Sequence, residues 1–176
     1  MRPASASDSA ASDSASDSTA SDSAASASGV SATGVPVSVP ATIARHLLAL
    51  VLVVTGIGHL TFARVGFQGQ VPAWVPLDPD FVVLASGVVE LAFAVGLILL
   101  RRWRVGVGGL LAAFFIAIFP VNISQFVTHT DSLGLDSDVA RGVRLVFQPL
   151  LVVVALWSTG AWKWWRLRRQ ARREQS

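Results

Sequence analysis

Four apolar runs, each close to twenty residues long, constrain this chain more than anything else in it. They cover about residues 43–62, 81–100, 105–127 and 139–160. A helix needs roughly 20 residues to cross the hydrocarbon of a bilayer. Lipid offers no partners for open backbone, and four segments cannot close a barrel, so helix is the conformation to expect. The sequence therefore predicts an all-α membrane protein: a four-transmembrane-helix bundle over residues 41–162, after a disordered N-terminal tail and before a basic tail at 163–176.

The flanks support this division. Residues 1–40 are built from Ala-Ser-Asp-Ser units that lead into GVSATGVPVSVP, with no large apolar residue before Val30. Such a segment buries too little surface to offset its ordering entropy. Because the first apolar run starts only after forty residues, it does not read as a secretory signal, and the tail is expected to be retained. The chain has no cysteine, which excludes disulfides, thiol relays and Cys-based zinc or iron–sulfur sites. Its thirteen Arg against one Lys, with abundant Ala, Val and Gly, suggest a bacterial origin.

The charges predict an orientation. Arg101, Arg102 and Arg104 fill the tight connection between the second and third runs, and Lys163, Arg166, Arg168, Arg169, Arg172 and Arg173 follow the fourth. By the positive-inside rule, both termini and this connection face the cytoplasm of a plasma membrane. Trp103, Trp157, Trp162, Trp164 and Trp165 would form the inner aromatic belt, with Trp74 as an outer anchor. The basic residues lie beside apolar segments, so they read as orientation signals that meet anionic headgroups, and no nucleic-acid partner is expected. Arg45 and His46, at the start of the first run, are expected to snorkel to the interface.

Each run also carries a polar residue in its outer half. By helical rise, His59 lies about 5 Å in from the outer end, Asn122 and Arg144 about 7 Å, and Glu90 and Gln148 about 13 Å. Glu90 is the most expensive of these, since an acid at a helix centre costs about 2.5–3.5 kcal/mol on insertion scales and marks a functional position by default. Side chains lean towards the N-terminus of their own helix. His59 and Asn122 thus lean inwards on outward-running helices, while Glu90 leans outwards to meet them. Arg144 and Gln148 share a helix face at i, i+4. The candidate pocket is accordingly His59, Glu90, Asn122, Arg144 and Gln148, with Ser86, Pro120 and Pro149 as secondary members. A Glu90–Arg144 contact, direct or through Gln148 or water, is expected to offset the buried charge. Kinks at Pro120 and Pro149 would open the outer half. Gly109, Ala113 and Ala117, with Ala92 and Gly96, form small-xxx-small rows and are expected to mark close helix packing. The VGVGG run at 105–109 has neither the spacing nor the preceding strand of a dinucleotide loop. His129 and the aspartates of THTDSLGLDSD fit no EF-hand or zinc spacing, so no metal site is expected.

These residues also carry a resemblance. Gly56-Ile57-Gly58-His59-Leu60, Val71-Pro72-Ala73-Trp74-Val75-Pro76, Ser86-Gly87-Val88-Val89-Glu90, Phe119-Pro120-Val121-Asn122 and Arg144 to Gln148, in that order, resemble the signature of DoxX-like small membrane proteins across residues 43–160. The resemblance implies a four-helix bundle and association with respiratory or sulfur-linked redox systems, since members include a subunit of a thiosulfate:quinone oxidoreductase and membrane partners of thiol-redox systems. Leu60 stands where the family usually has an aromatic. Without cysteine, only quinone or accessory roles carry over.

Three functions compete. The first is an accessory or quinone-interacting subunit of a membrane redox enzyme, with His59, Asn122 and Arg144 bonding the head group and Glu90 holding or passing a proton. The second is a scaffold in which the polar layer only fixes helix register. The third is a small proton-coupled transporter, disfavoured by the lack of internal repeats and of polar residues in the inner halves. The sequence shows no haem ligand pair, flavin loop or nucleotide site, so an enzyme acting alone is not expected. Quinone is the one cofactor suggested, the lipid bilayer is the certain partner, and homo-oligomerisation is left open.

Overall fold

The computed structural model describes residues 35–131 and 137–174. The expectation of disorder for residues 1–34 lies outside them, as does the middle of the acidic loop. Among the described residues six helices follow in order: α1 Val39–Leu60, α2 Arg64–Gln68, α3 Pro79–Leu99, α4 Arg104–Val127, α5 Asp138–Thr159 and α6 Ala161–Arg173. Helices α1, α3, α4 and α5 are long and apolar enough to cross a membrane, so the protein is an all-α, four-span bundle.

Local chemistry sets the boundaries. Ser38 caps α1 by accepting from the Ala41 amide at 3.4 Å, and Pro40 occupies the first turn, where its missing N–H costs nothing. The helix thus begins before the expected end of the tail, and Val35 is already buried. Asp78 and Pro79 start α3 in the same way, with Asp78 accepting from Phe81 at 3.0 Å. Ser137 caps α5 through the Ala140 amide at 3.2 Å. Gly160, at φ +78°, ends α5 in the left-handed conformation that favours glycine and lets the chain restart as α6.

The closest pairings are α1 with α3 and α4 with α5, both antiparallel. One end of the bundle, here the basic end, carries the α3–α4 turn and Gly160; the far end carries α2 and the α4–α5 connection. Leu48, Ala49, Leu52, Ala94, Leu97, Leu111, Ala112, Phe115 and Ala155 form a dry core in the basic half. Two glycine contacts hold the pairs. A Cβ on Gly87 would meet the Cβ of His59 at 2.8 Å and the Gly56 carbonyl at 3.0 Å. A Cβ on Gly108 would overlap the Thr159 hydroxyl at 1.9 Å.

Of the small-residue rows, Gly96 marks close packing as expected, being buried with an added Cβ only 3.2 Å from Val107 of α4, but the rest are a correction to the sequence reading. Gly109, Ala113, Ala117 and Ala92 are exposed on the outside of the bundle, and a Cβ on Gly109 would meet nothing within 4 Å. Gly108, one residue away and turned into the bundle, makes the close approach. Arg45 is a second correction. It does not reach solvent but is buried at 2% exposure on the same α1 face as Leu48, Ala49 and Leu52, while His46 is exposed.

Candidate functional site

The far half contains two polar pairs, one in each helix pair. On the α4–α5 side, Asn122 Nδ2 donates to Gln148 Oε1 at 2.9 Å, and Gln148 Nε2 donates to the Phe115 carbonyl at 2.8 Å. Both amides are buried. The pair is neutral, and each group uses the other or the backbone, which meets the requirement that buried polar groups be bonded.

The α1–α3 side is different. Gly56 and Gly87 let the two backbones approach, and His59 and Glu90 sit three residues beyond them on their own helices. Because each side chain leans towards its own N-terminus, the two point at one another. His59 Nδ1 lies 2.8 Å from the Thr55 carbonyl, which can only accept, so this nitrogen carries a proton. The same nitrogen is 3.4 Å from Glu90 Oε2. Phe67 of α2 stacks flat on the imidazole, with centroids 3.7 Å apart and planes 12° from parallel. Glu90 is 8% exposed, and its Oε2 has no hydrogen-bond partner among the described residues.

Glu90 stands between two cavities. One, of about 110 Å³, opens under α2 and is lined by His59, Phe67, Gln70, Ser86, Asn122 and Arg144, among others. The second, of about 240 Å³, lies between α1 and α5 and is lined by Thr55, His59, Phe115, Arg144, Gln148 and Leu151, among others. Each is smaller than the roughly 300–1,000 Å³ usual for a small-molecule pocket, so it suits a head group or water better than a whole ligand. Arg144 and Glu90 both border both cavities, and Gln148, at i, i+4 from Arg144, borders the second. No direct ion pair joins Glu90 and Arg144 among the described residues.

All five primary candidates from the sequence therefore border one region, and Ser86 joins them. The prolines do not. Pro120 and Pro149 are exposed inside continuous helices, and Pro149 borders a separate apolar groove on the outer surface of α4 and α5. Neither proline lines the polar cavities, the first of which lies under α2 and the second between α1 and α5. Sequence reasoning missed Phe67 and Gln70, both in what it took for a plain loop. Gln70 is buried and its Nε2 is unpartnered among the described residues. A faint signal existed in Arg64-Val65-Gly66-Phe67-Gln68, where an aromatic lies between polar residues.

Ion pairs close the far end. Arg64 chelates Asp80 through Nε and Nη2, and Gln68 Nε2 adds a bond to the same carboxylate at 2.6 Å, which fastens α2 to the start of α3. These hydrogen bonds hold the Arg64 guanidinium above its ordinary range. Arg141 donates to Asp131 and Asp138, each at 2.8 Å, and His129 Nδ1 contacts Asp138 at 2.7 Å. The acidic loop residues that are described thus pair with arginine and histidine, and no group of three metal-ligating side chains occurs among the described residues.

No curated protein and no solved structure matches the chain. Residues 48–159, which hold the last thirteen residues of α1, the whole of α3, α4 and α5, and every residue of the two polar pairs, match the family described as Domain of unknown function (DUF8561), and the chain belongs to that family.

Proposed function

We propose that this is a multi-pass protein of a bacterial plasma membrane, with both termini cytoplasmic, that binds the polar head group of a quinone as an accessory subunit of a membrane redox system. The observation that carries the reading is Glu90 Oε2: a buried carboxylate oxygen without a hydrogen-bond partner, between two cavities that His59 and Arg144 also border. An unsatisfied buried acid costs stability unless something else uses it. A quinone carbonyl would accept from Arg144, and Glu90 would hold the proton that accompanies reduction. Phe67 and Phe115 supply apolar walls. The resemblance to DoxX-like proteins points to the same class of partner, and the arginines of the basic end favour its placement in the cytoplasm.

The test uses the purified full chain in mild detergent, with decylubiquinone and menadione as probes. Quinone should raise the melting temperature of the wild type, and Glu90→Gln or Arg144→Gln should abolish that rise while leaving the fold intact. No rise with either probe would refute the reading. A scaffold is the second reading, favoured by one observation: Asn122 and Gln148 bond directly to each other and to the Phe115 backbone, which by itself joins α4 to α5. In that case Glu90→Gln would leave respiration and complex assembly unchanged.

A further inference from the structure

At the basic end, Arg45, Arg101 and Arg104 have no carboxylate partner among the described residues. Arg45 is 2% exposed, its Nε is buried without a partner, and its side chain makes no hydrogen bond or ion pair among the described residues. The charges acting on it are those of Arg101 and Arg104, which is repulsion and not compensation. Arg104 spends one Nη on the Val35 carbonyl, and its Nε is also buried and unpartnered. Every described acid except Glu174, at the end of α6, lies in the far half of the bundle. Like charges with no counter-charge among the described residues repel one another, and the Arg45 side chain is also buried.

Position adds a second constraint. Arg45 is six residues into α1, about 9 Å below the helix start. Its side chain leans towards the helix N-terminus, and so towards the basic end. That carries the guanidinium to the depth where lipid phosphates lie. Guanidinium is also the side-chain group best suited to a phosphate, because its planar fork offers two parallel N–H donors to two oxygens.

We propose that Arg45, Arg101 and Arg104 form a phosphate site at the basic end of the bundle, occupied by the phosphate of an anionic lipid that inserts its head group beneath the segment at Val35. The site is separate from the polar cavities, which lie in the other half of the membrane, and does not depend on the function proposed for them. Arg101 is exposed, Arg104 is half-buried and Arg45 is buried.

The experiment is native mass spectrometry and thermal melting of the full chain in detergent, with phosphatidylglycerol, phosphatidylcholine or inorganic phosphate added. Phosphatidylglycerol should remain bound and raise the melting temperature, whereas phosphatidylcholine should not. If millimolar inorganic phosphate displaces it, the site takes free phosphate; if not, the site is specific to lipid. Arg101→Gln should weaken the retained lipid about fivefold, as expected for one arginine near a membrane surface. Arg45→Met should weaken it at least as much, and without lipid it should melt no lower than wild type because an unpaired buried charge has gone. The surface pair Arg168→Gln and Arg169→Gln on α6 should leave the retained lipid unchanged. Unchanged lipid retention in both Arg45→Met and Arg101→Gln would overturn the proposal. So would a large lipid-independent loss of stability in Arg45→Met, which would place the counter-charge within the chain itself.

Discussion

The two polar pairs sit in the same half of the bundle, yet only one of them is complete. Asn122 and Gln148 are neutral, bonded to each other and to the Phe115 backbone, and so hold α4 to α5 with no charge left to offset. His59 and Glu90 are ionisable, 3.4 Å apart, share one nitrogen with the Thr55 carbonyl, and leave a carboxylate oxygen open to two cavities. A complete buried pair fixes the register of two helices. An incomplete one costs stability, and that cost is the physical mark of a site built to meet something else. The difference separates structural glue from functional site without appeal to any relative.

The contrast can be broken hardest at its foundation. Gly87→Val places a side chain where 2.8 Å separates an added Cβ from His59 and 3.0 Å from the Gly56 carbonyl. It should force α1 from α3 and cost about 2–4 kcal/mol, read as a fall in unfolding free energy in detergent. Next comes the amide pair. Gln148→Leu strips both Asn122 and the Phe115 carbonyl of partners and should cost about 1–2 kcal/mol. Asn122→Leu should cost less, since Gln148 keeps its backbone bond, and the double variant should cost less than the two singles summed. Ligand binding at Glu90 should survive all three amide variants. The smallest effect should come from Phe67→Ala, which removes the ring stacked on His59 at about 0.5–1 kcal/mol. It should nonetheless raise the access of water-soluble reagents to the first cavity more than any amide variant does.

How far the sequence could be read follows from what each feature depends on. Hydropathy over twenty residues is an average, so the four spans were legible to within a few residues at their ends. The five polar residues were legible too, because each is conspicuous against an apolar run. The approach of His59 to Glu90 was legible from the direction in which side chains lean along their helices, and the structure sets the two 3.4 Å apart. The Asn122–Gln148 bond was not, since no periodicity reveals which helices pair. The close-packing glycine was misplaced by one residue, Gly109 for Gly108. One residue is about 100° of helix rotation, the difference between the interior and the lipid face. Arg45 was misread because a charge near a helix end usually snorkels, and only tertiary packing shows it sealed in. Helix α2, five residues long, is too short for any periodic signal.

The central claim is that charged groups from three helices share one desolvated space and act as a unit. A double-mutant cycle on unfolding free energy with Glu90→Gln and Arg144→Gln tests it most directly. If the two groups face each other across the cavities, the double variant should depart from the sum of the singles by about 1 kcal/mol or more. Additivity within about 0.5 kcal/mol would mean that the two charges do not sense one another, and the site described here would not exist.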